Sequence, residues 1–489
     1  MQRIRPFLFW LFVALFFATT ALVLFYTFGY RFSTSRGIFI YTGSITVSAN
    51  PSTVSILLDG EPVPPNRLGL VNRSSHIPGI GPGEHFLSVT APGYSTWEKK
   101  VVVESGLSTE FWNVLLGKTD PQPETAAESA SAMRAYPSPK NSLIALAKNT
   151  GGEFSLDVYN TNNQSGKQVF SLPNATLLGE DEDGVEWSPD AEKLFIPVRQ
   201  DGQIRYFVVD AETLVSSELT TLTPDGKRKY LRWQPGQKHV LFLVDQGVLS
   251  LIDTESETLA PERVRAEVAT YDLSGQFLYI LTKSGLVFRT LADSPTDDAR
   301  QVTTAPLPVA EDGNPTLGVY DADRIAFLDK RSGVLSLYNN RPDGGPTLST
   351  LLPEGGRGMQ FSDDGKKLLY FTENEVNVSF LREWEVQPVR EAGMTLQVAR
   401  LSQPISFVQW TRDYEHVLYA VGGSVKVIEL DSRDRRNIFD LINFEKTPLQ
   451  ILSRFEQNQV YFIEDKADAE RGLRLLQFPE PQTFLGFSQ

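Results

Sequence analysis

Three patterns of apolar and polar positions follow one another along the chain, and each predicts a different kind of element. From Phe7 to Gly29 the residues are uncharged and dominated by Phe, Leu, Val and Ala. At 1.5 Å per residue this run reaches about 34 Å, enough for a hydrocarbon core of about 30 Å. From Gly43 to Leu116 the pattern changes to short alternation: Ile45, Val47 and Ala49, then Val54, Ile56 and Leu58, with polar residues between them. A period of two marks half-buried strands. After residue 135 a longer unit recurs: an aromatic or apolar residue, a polar turn, a continuous apolar run, a second turn and an alternating run.

The clearest copies of that unit are WSPDAEKLFIPV from Trp187, WQPGQKHVLFLV from Trp233, FSDDGKKLLYFT from Phe361 and WTRDYEHVLYAV from Trp410. In all four the apolar run begins seven residues after the aromatic. Weaker copies start at Tyr136, Tyr271, Tyr320 and Phe455, giving a spacing of roughly 40 to 50 residues, the length of a four-stranded propeller blade. The first strand of each unit is apolar on both faces, as in Val240–Val244, Leu368–Phe371 and Val460–Ile463, and the second alternates, as in Val248–Asp253 and Val425–Leu430. Blades packed face to face around an axis bury both faces of their middle strands and expose the outer ones. A parallel α/β sheet would bury strands equally well, but it needs helices of 10 to 15 residues between them, and no amphipathic stretch of that kind is evident. The fold class is therefore all-β: an N-terminal transmembrane helix, a small β-sandwich over 43–117 and a β-propeller over 136–489. Eight blades are counted, with seven as the alternative if one weak copy is an insertion. The repeat resembles TolB-like and WD40-like propeller repeats, closest at Trp187-Ser188-Pro189-Asp190 and Phe361-Ser362-Asp363-Asp364-Gly365-Lys366. That resemblance implies a fold and not an activity.

In the alternating region, Asp59-Gly60 supplies the residues of a tight hairpin turn, and Pro62, Pro64 and Pro65 impose an irregular loop. A second hairpin is predicted from Gly83–Val89 and Trp97–Val103, with Phe111–Leu116 as a closing strand. Through ANPSTVSILLDGEPV, PGEHFLSVTAPGY and STWEKKVVV this region resembles the PEGA domain, with Asp59, Gly60, Gly83, His85, Gly93 and Tyr94 at its motif positions. The name-giving tetrapeptide reads Pro82-Gly83-Glu84-His85 here, so the likeness is one of pattern. It implies an envelope-facing spacer or adhesion module, with His85 a structural residue at a strand edge. Residues 118–135, rich in Pro, Ala, Ser and Glu, are expected to form a flexible linker.

The apolar run is preceded by Arg3 and Arg5, while Trp10, Tyr26 and Tyr30 sit toward its ends, which predicts a cytoplasmic N-terminus (1–6), a span over 7–29 and an extracytoplasmic bulk. Arg31 and Arg36 nearly balance the charges ahead of the run. The competing reading is a signal peptide cleaved after Thr19-Thr20-Ala21, against which Leu22, Val23, Leu24 and Phe25 continue the apolar stretch.

Composition narrows the chemistry. Acidic residues number 60 against 46 basic ones, a net charge of −14, which argues against a nucleic-acid partner. The one basic run, Arg433-Asp434-Arg435-Arg436, reads as a solvated loop. Cysteine is absent, removing disulfides, thiolate catalysis and Cys-based zinc sites. Of the four histidines, His239 and His416 each stand six residues after a repeat tryptophan and are read as solvent-side turn residues on distant blades; a shared site at the propeller mouth is the alternative. Glu180-Asp181-Glu182-Asp183-Gly184 is acidic enough to attract a calcium ion but lacks EF-hand spacing and reads as a solvated turn. Asn72, Asn163, Asn174 and Asn377 begin simple glycosylation sequons. No Gly-x-Ser-x-Gly elbow and no phosphate-binding loop is present. No catalytic, cofactor-binding or metal residue is singled out. The expectation is a non-enzymatic, membrane-tethered scaffold with an envelope protein or cell-wall polymer as partner and no cofactor. The alternative is a propeller enzyme using carboxylates at the central channel, and a transmembrane sensor ranks last.

Overall fold

The computed structural model describes residues 4–33, 38–64, 74–128, 131–163, 165–179, 183–222, 229–256, 258–454, 458–465, 471–478, 483–484 and 487–488. Helix α1, Ile4–Thr27, is followed at once by a two-stranded hairpin of Tyr30–Ser33 and Ile38–Tyr41. The apolar window Phe7–Thr27 is long enough to cross a membrane, and none of it is buried against protein.

Two sheets then form the small sandwich. Gly43–Asn50 lies between Ser75–Ile80 and, in parallel, Ser108–Leu115; facing it, Ser55–Leu58 and Gly83–Thr90 pair with Glu61–Pro62 and Trp97–Val103. The closing strand thus joins the first sheet rather than extending the hairpin's own. Its core takes Ile45, Val47, Phe111 and Val114 from one sheet and Ile56, Leu87, Val89, Trp97 and Val101 from the other. Asp59 and Gly60 form the predicted two-residue turn with φ of 52° and 85°, the pair of positive values such a loop demands. His85 braces that turn: its Nδ1 lies 2.7 Å from Asp59 Oδ2, its Nε2 lies 2.7 Å from the Gly81 carbonyl, and the Phe86 N–H donates to Asp59 Oδ1.

Among the described residues eight further sheets of four or five strands follow in chain order, labelled here blades 1 to 8: 132–173, 175–218, 232–265, 268–301, 315–352, 358–400, 405–443 and 450–477. Each carries its second strand buried on both faces, as in Val240–Asp245 and Gln459–Asp465, and an exposed outermost strand, as in Gly345–Leu352. Eight apolar clusters fill the spaces between successive blades, and one of them joins Tyr461, Ile463 and Leu473 of blade 8 to Ile144 and Leu146 of blade 1. The sheets therefore close into a ring, and the chain is a β-propeller carrying a sandwich and an apolar helix.

Closure corrects the expected linker. Glu124–Glu128 is the outermost strand of blade 8, antiparallel to Arg471–Gln477, and Ala132–Pro137 is the innermost strand of blade 1. Its Ala- and Glu-rich composition carries little strand preference. The strand exists because blade 8 supplies an unpaired edge beside it, a partner about 350 positions later in the chain.

Candidate functional site

The repeated residues are mainly architectural. In the polar turn a hydroxyl bonds a carboxylate two residues on: Ser188 to Asp190, Ser362 to Asp364 and Thr411 to Asp413, at 2.6 to 2.7 Å. The aromatic at the head of the repeat staples its strand to the preceding blade. Trp187, Trp233 and Trp410 donate Nε1–H to the carbonyls of Tyr136, Glu186 and Gln360 at 2.8, 3.2 and 3.1 Å. Each bond satisfies a buried indole donor.

Along the innermost strands of blades 2 to 4 runs an ionic ladder. Arg232 Nε lies 3.1 Å from Glu186 and its Nη1 3.9 Å from Asp272, whose other oxygen accepts the Val319 N–H at 2.8 Å. Burial pushes both carboxyls above their ordinary values, the nearby guanidinium working against it. Asp183 belongs to the same region. It is buried, and its Oδ2 accepts the Lys229 N–H and the Tyr206 hydroxyl, so the solvated-turn reading fails for this residue because it ties blade 2 to blade 3. Glu180, Asp181 and Glu182 lie outside the described residues, among which no three His, Asp or Glu are grouped to hold a metal ion. Of the sequon asparagines, Asn377 is buried in blade 6 and Asn72 lies outside the described residues.

The two histidines of blades 3 and 7 differ. His239 is half-buried in its turn. His416 is 3% exposed, against the expected solvent-side position, because Asp413 draws it inward across a 2.7 Å contact. Burial alone disfavours the imidazolium, but Asp413, with Glu429 and Glu415 behind it, outweighs that and raises the pKa above its usual 6.5. Beside it Lys367, fully buried, pairs with Glu415, donates to the Tyr414 carbonyl and lies 3.7 Å from the Trp384 ring centre.

This buried charge borders the junction where the sandwich meets blades 6 and 7, a dense polar site among the described residues. Lys99, on the strand Trp97–Val103, has no exposed surface. Its ammonium donates to the carbonyls of Asp431, Arg433 and Arg435 at 3.0, 2.9 and 2.8 Å and pairs with Glu429 at 2.7 Å. Glu429 also accepts from Trp97 Nε1 at 2.9 Å and from the backbone and side chain of Asn437. The solvated-loop reading holds for the side chains of Asp434 and Arg435, which are exposed, and fails for the rest of the basic run. Its backbone is the lysine's cage, Arg433 donates to the Glu110 carbonyl and stacks 4.0 Å over Phe111, and Arg435 pairs with Glu98. From blade 6, Gln387 bonds both Glu110 and Ser108. Between Trp97, Phe111, Glu415, His416, Glu429 and Arg433 remains a cavity of about 20 Å³, room for a water molecule. Pattern reading missed the junction; the only signal was a lysine at an inward-facing position of an alternating strand, Trp97-Glu98-Lys99-Lys100-Val101.

No protein-family model matches the chain, and no curated protein matches it. Among solved structures it is similar to the computationally designed protein Ika8, at 12% identity and a TM-score of 0.46, over 73% of this chain and all of that one. It is also similar to Saccharomyces cerevisiae Sqt1, at 11% identity and 0.43 over 74% and 98%. The β-propeller domain of Cps50 (Swd1) from Myceliophteria thermophila matches at 9% identity and 0.40 over 73% and 99%.

Proposed function

We propose that this chain is a non-catalytic scaffold that α1 tethers to the membrane, with a cytoplasmic N-terminus and the propeller held outside to bind an envelope protein or a cell-wall component. The observation that carries the reading is α1 itself: a 21-residue apolar window without protein cover is unstable in water and stable across a bilayer. In this reading the sandwich is a PEGA-like spacer and the ring a TolB-like or WD40-like platform. The junction at Lys99 makes the two one rigid piece, so tethering fixes the height of the ring as well as raising its effective concentration near the membrane.

The test is chemical crosslinking in native membranes followed by purification of the full chain, with a chain ending at residue 117 as control. An envelope protein or wall fragment enriched only when the ring is present supports the scaffold. No enrichment over the control refutes it. Turnover of a glycan or peptide substrate that is abolished by Glu186→Gln or Asp272→Asn would instead favour catalysis at the inner strands.

A further inference from the structure

The hairpin that follows α1 has two unlike faces. Tyr30 stands opposite Tyr41 and Phe32 opposite Phe39, so alternation puts four aromatic rings on one side and Arg31 with Ile40 on the other. The second side is covered by the sandwich: the Arg31 side chain lies against Gly79 and that of Ile40 against Gly81. The aromatic side meets the end of α1 and, through the Tyr41 ring against Gly106, the rim of the sandwich. Phe25 touches Tyr30 and Phe39 at ring-centre distances of 5.3 and 6.1 Å, and of the cross-strand pairs Tyr30–Tyr41 stacks at 5.0 Å while Phe32–Phe39 meets edge to face at 5.4 Å. Phe32, Phe39 and Tyr41 remain 56, 54 and 42% exposed, and Leu107, beside them on the sandwich rim, 57%.

The hairpin is also locked to the helix end. Arg31 donates to the Tyr26 carbonyl at 2.8 Å and lies 3.5 Å over its ring, while Thr42 donates through both N–H and hydroxyl to the Gly29 carbonyl. Basic groups at a helix C-terminus satisfy its free carbonyls and its dipole. Because the hairpin cannot swing away, its position follows from that of α1. The apolar window of 21 residues is about 32 Å long, close to the thickness of the hydrocarbon core, so the ribbon that begins at Tyr30, directly after it, falls at the headgroup level. Aromatic rings with one polar edge favour that depth.

From this we infer that the aromatic face of Tyr30, Phe32, Phe39 and Tyr41, extended by Leu107, is a membrane-docking surface that lies in the interfacial layer of the bilayer α1 crosses. The inference rests on the membrane-spanning reading of α1. Its occupant is lipid because the face continues the apolar surface of the helix without a break. Docking there sets the tilt of the sandwich, and through the Lys99 junction the tilt of the ring.

The absence of cysteine permits single labels on the full chain in lipid nanodiscs. An environment-sensitive fluorophore is placed at F39C, with F32C as a second site, F17C at mid-helix and L348C on the outer strand of blade 5. Each is quenched by aqueous iodide, by a nitroxide high on the lipid chain, or by one near the bilayer centre. The expected result is loss of iodide quenching at 39 and 32 relative to 348, strong quenching there by the shallow nitroxide, and quenching at 17 by the deep one. Iodide access at 39 and 32 equal to that at 348, with 17 still deep, overturns the docking surface and leaves the span standing. Protection from both iodide and lipid nitroxide means that a second copy covers the face, and also overturns it. Loss of lipid quenching at 17 overturns the span and the docking surface together.

Discussion

Replacing Lys99 by methionine removes an ammonium but keeps its length, and the structure sets the size of the effect. The lost group makes three hydrogen bonds to carbonyls and an ion pair with Glu429, all without exposed surface. Removing one partner of a buried pair costs about 3–5 kcal/mol, because the remaining carboxylate keeps its desolvation penalty. At 1.36 kcal/mol per decade the sandwich should separate from blade 7 about 10²- to 5 × 10³-fold more readily. Global unfolding is the wrong assay, since a chain of several units need not unfold in one step. Hydrogen exchange of the amides of Glu98 and Lys100, which donate to Asn437 and Asp434 across the junction, reads the separation directly. These amides should exchange faster by the stated factor while those of strand Val240–Asp245 stay unchanged. The double variant K99M/E429Q should recover part of the loss, because glutamine carries no charge and its one amide oxygen still accepts from Asn437, while its NH2 takes the place of the oxygen that accepted from Trp97. Exchange within about threefold of wild type in K99M would refute the clamp, since that corresponds to well under 1 kcal/mol.

Other perturbations have equally definite outcomes. Trp410→Phe removes the indole bond to the Gln360 carbonyl, which keeps its place in the blade 6 ladder, and should cost about 0.5–1.5 kcal/mol, read as faster amide exchange of strand Ile405–Trp410, with Trp233→Phe comparable through the Glu186 carbonyl. Ala127→Asp places a charge in the apolar cluster that closes the ring, and should expose the strands of blade 8 to protease before the other blades. The His416–Asp413 pair makes stability depend on pH. The histidine's folded pKa is raised, so its contribution is fully present below about pH 6.5 and is lost as pH rises through the higher folded value. Asp413 is held well below the ordinary carboxylate range because the His416 charge and its hydrogen bonds outweigh burial, so its contribution persists until strongly acid pH. Melting temperatures from pH 5 to 9 should fall on the alkaline side in wild type, and His416→Gln should flatten that limb; an unchanged limb means the pair is silent.

How much was legible in the chain differs from element to element, and the division has a physical cause. The sequence by itself determined the apolar helix, the strand periodicity, the Asp59-Gly60 turn and the recurring blade hairpin, because each depends on residues near one another and on a period the backbone imposes. It could not determine what those elements meet. The strand at Glu124–Glu128 exists only because blade 8 offers an edge. Arg433 and Arg435, indistinguishable from solvated charges in a local window, are held by the sandwich. His416 is drawn inward by Asp413, with Glu415 beside it and Glu429 opposite it on the next strand, whereas His239, at the same repeat position, is not. Lys99, one basic residue among alternating partners, becomes the most enclosed charge of the junction because carbonyls more than 300 positions later converge on it. Local pattern selects which strands form; only the closed ring and the docked sandwich decide which polar groups leave water, and burial is what turns an ordinary charge into a structural clamp.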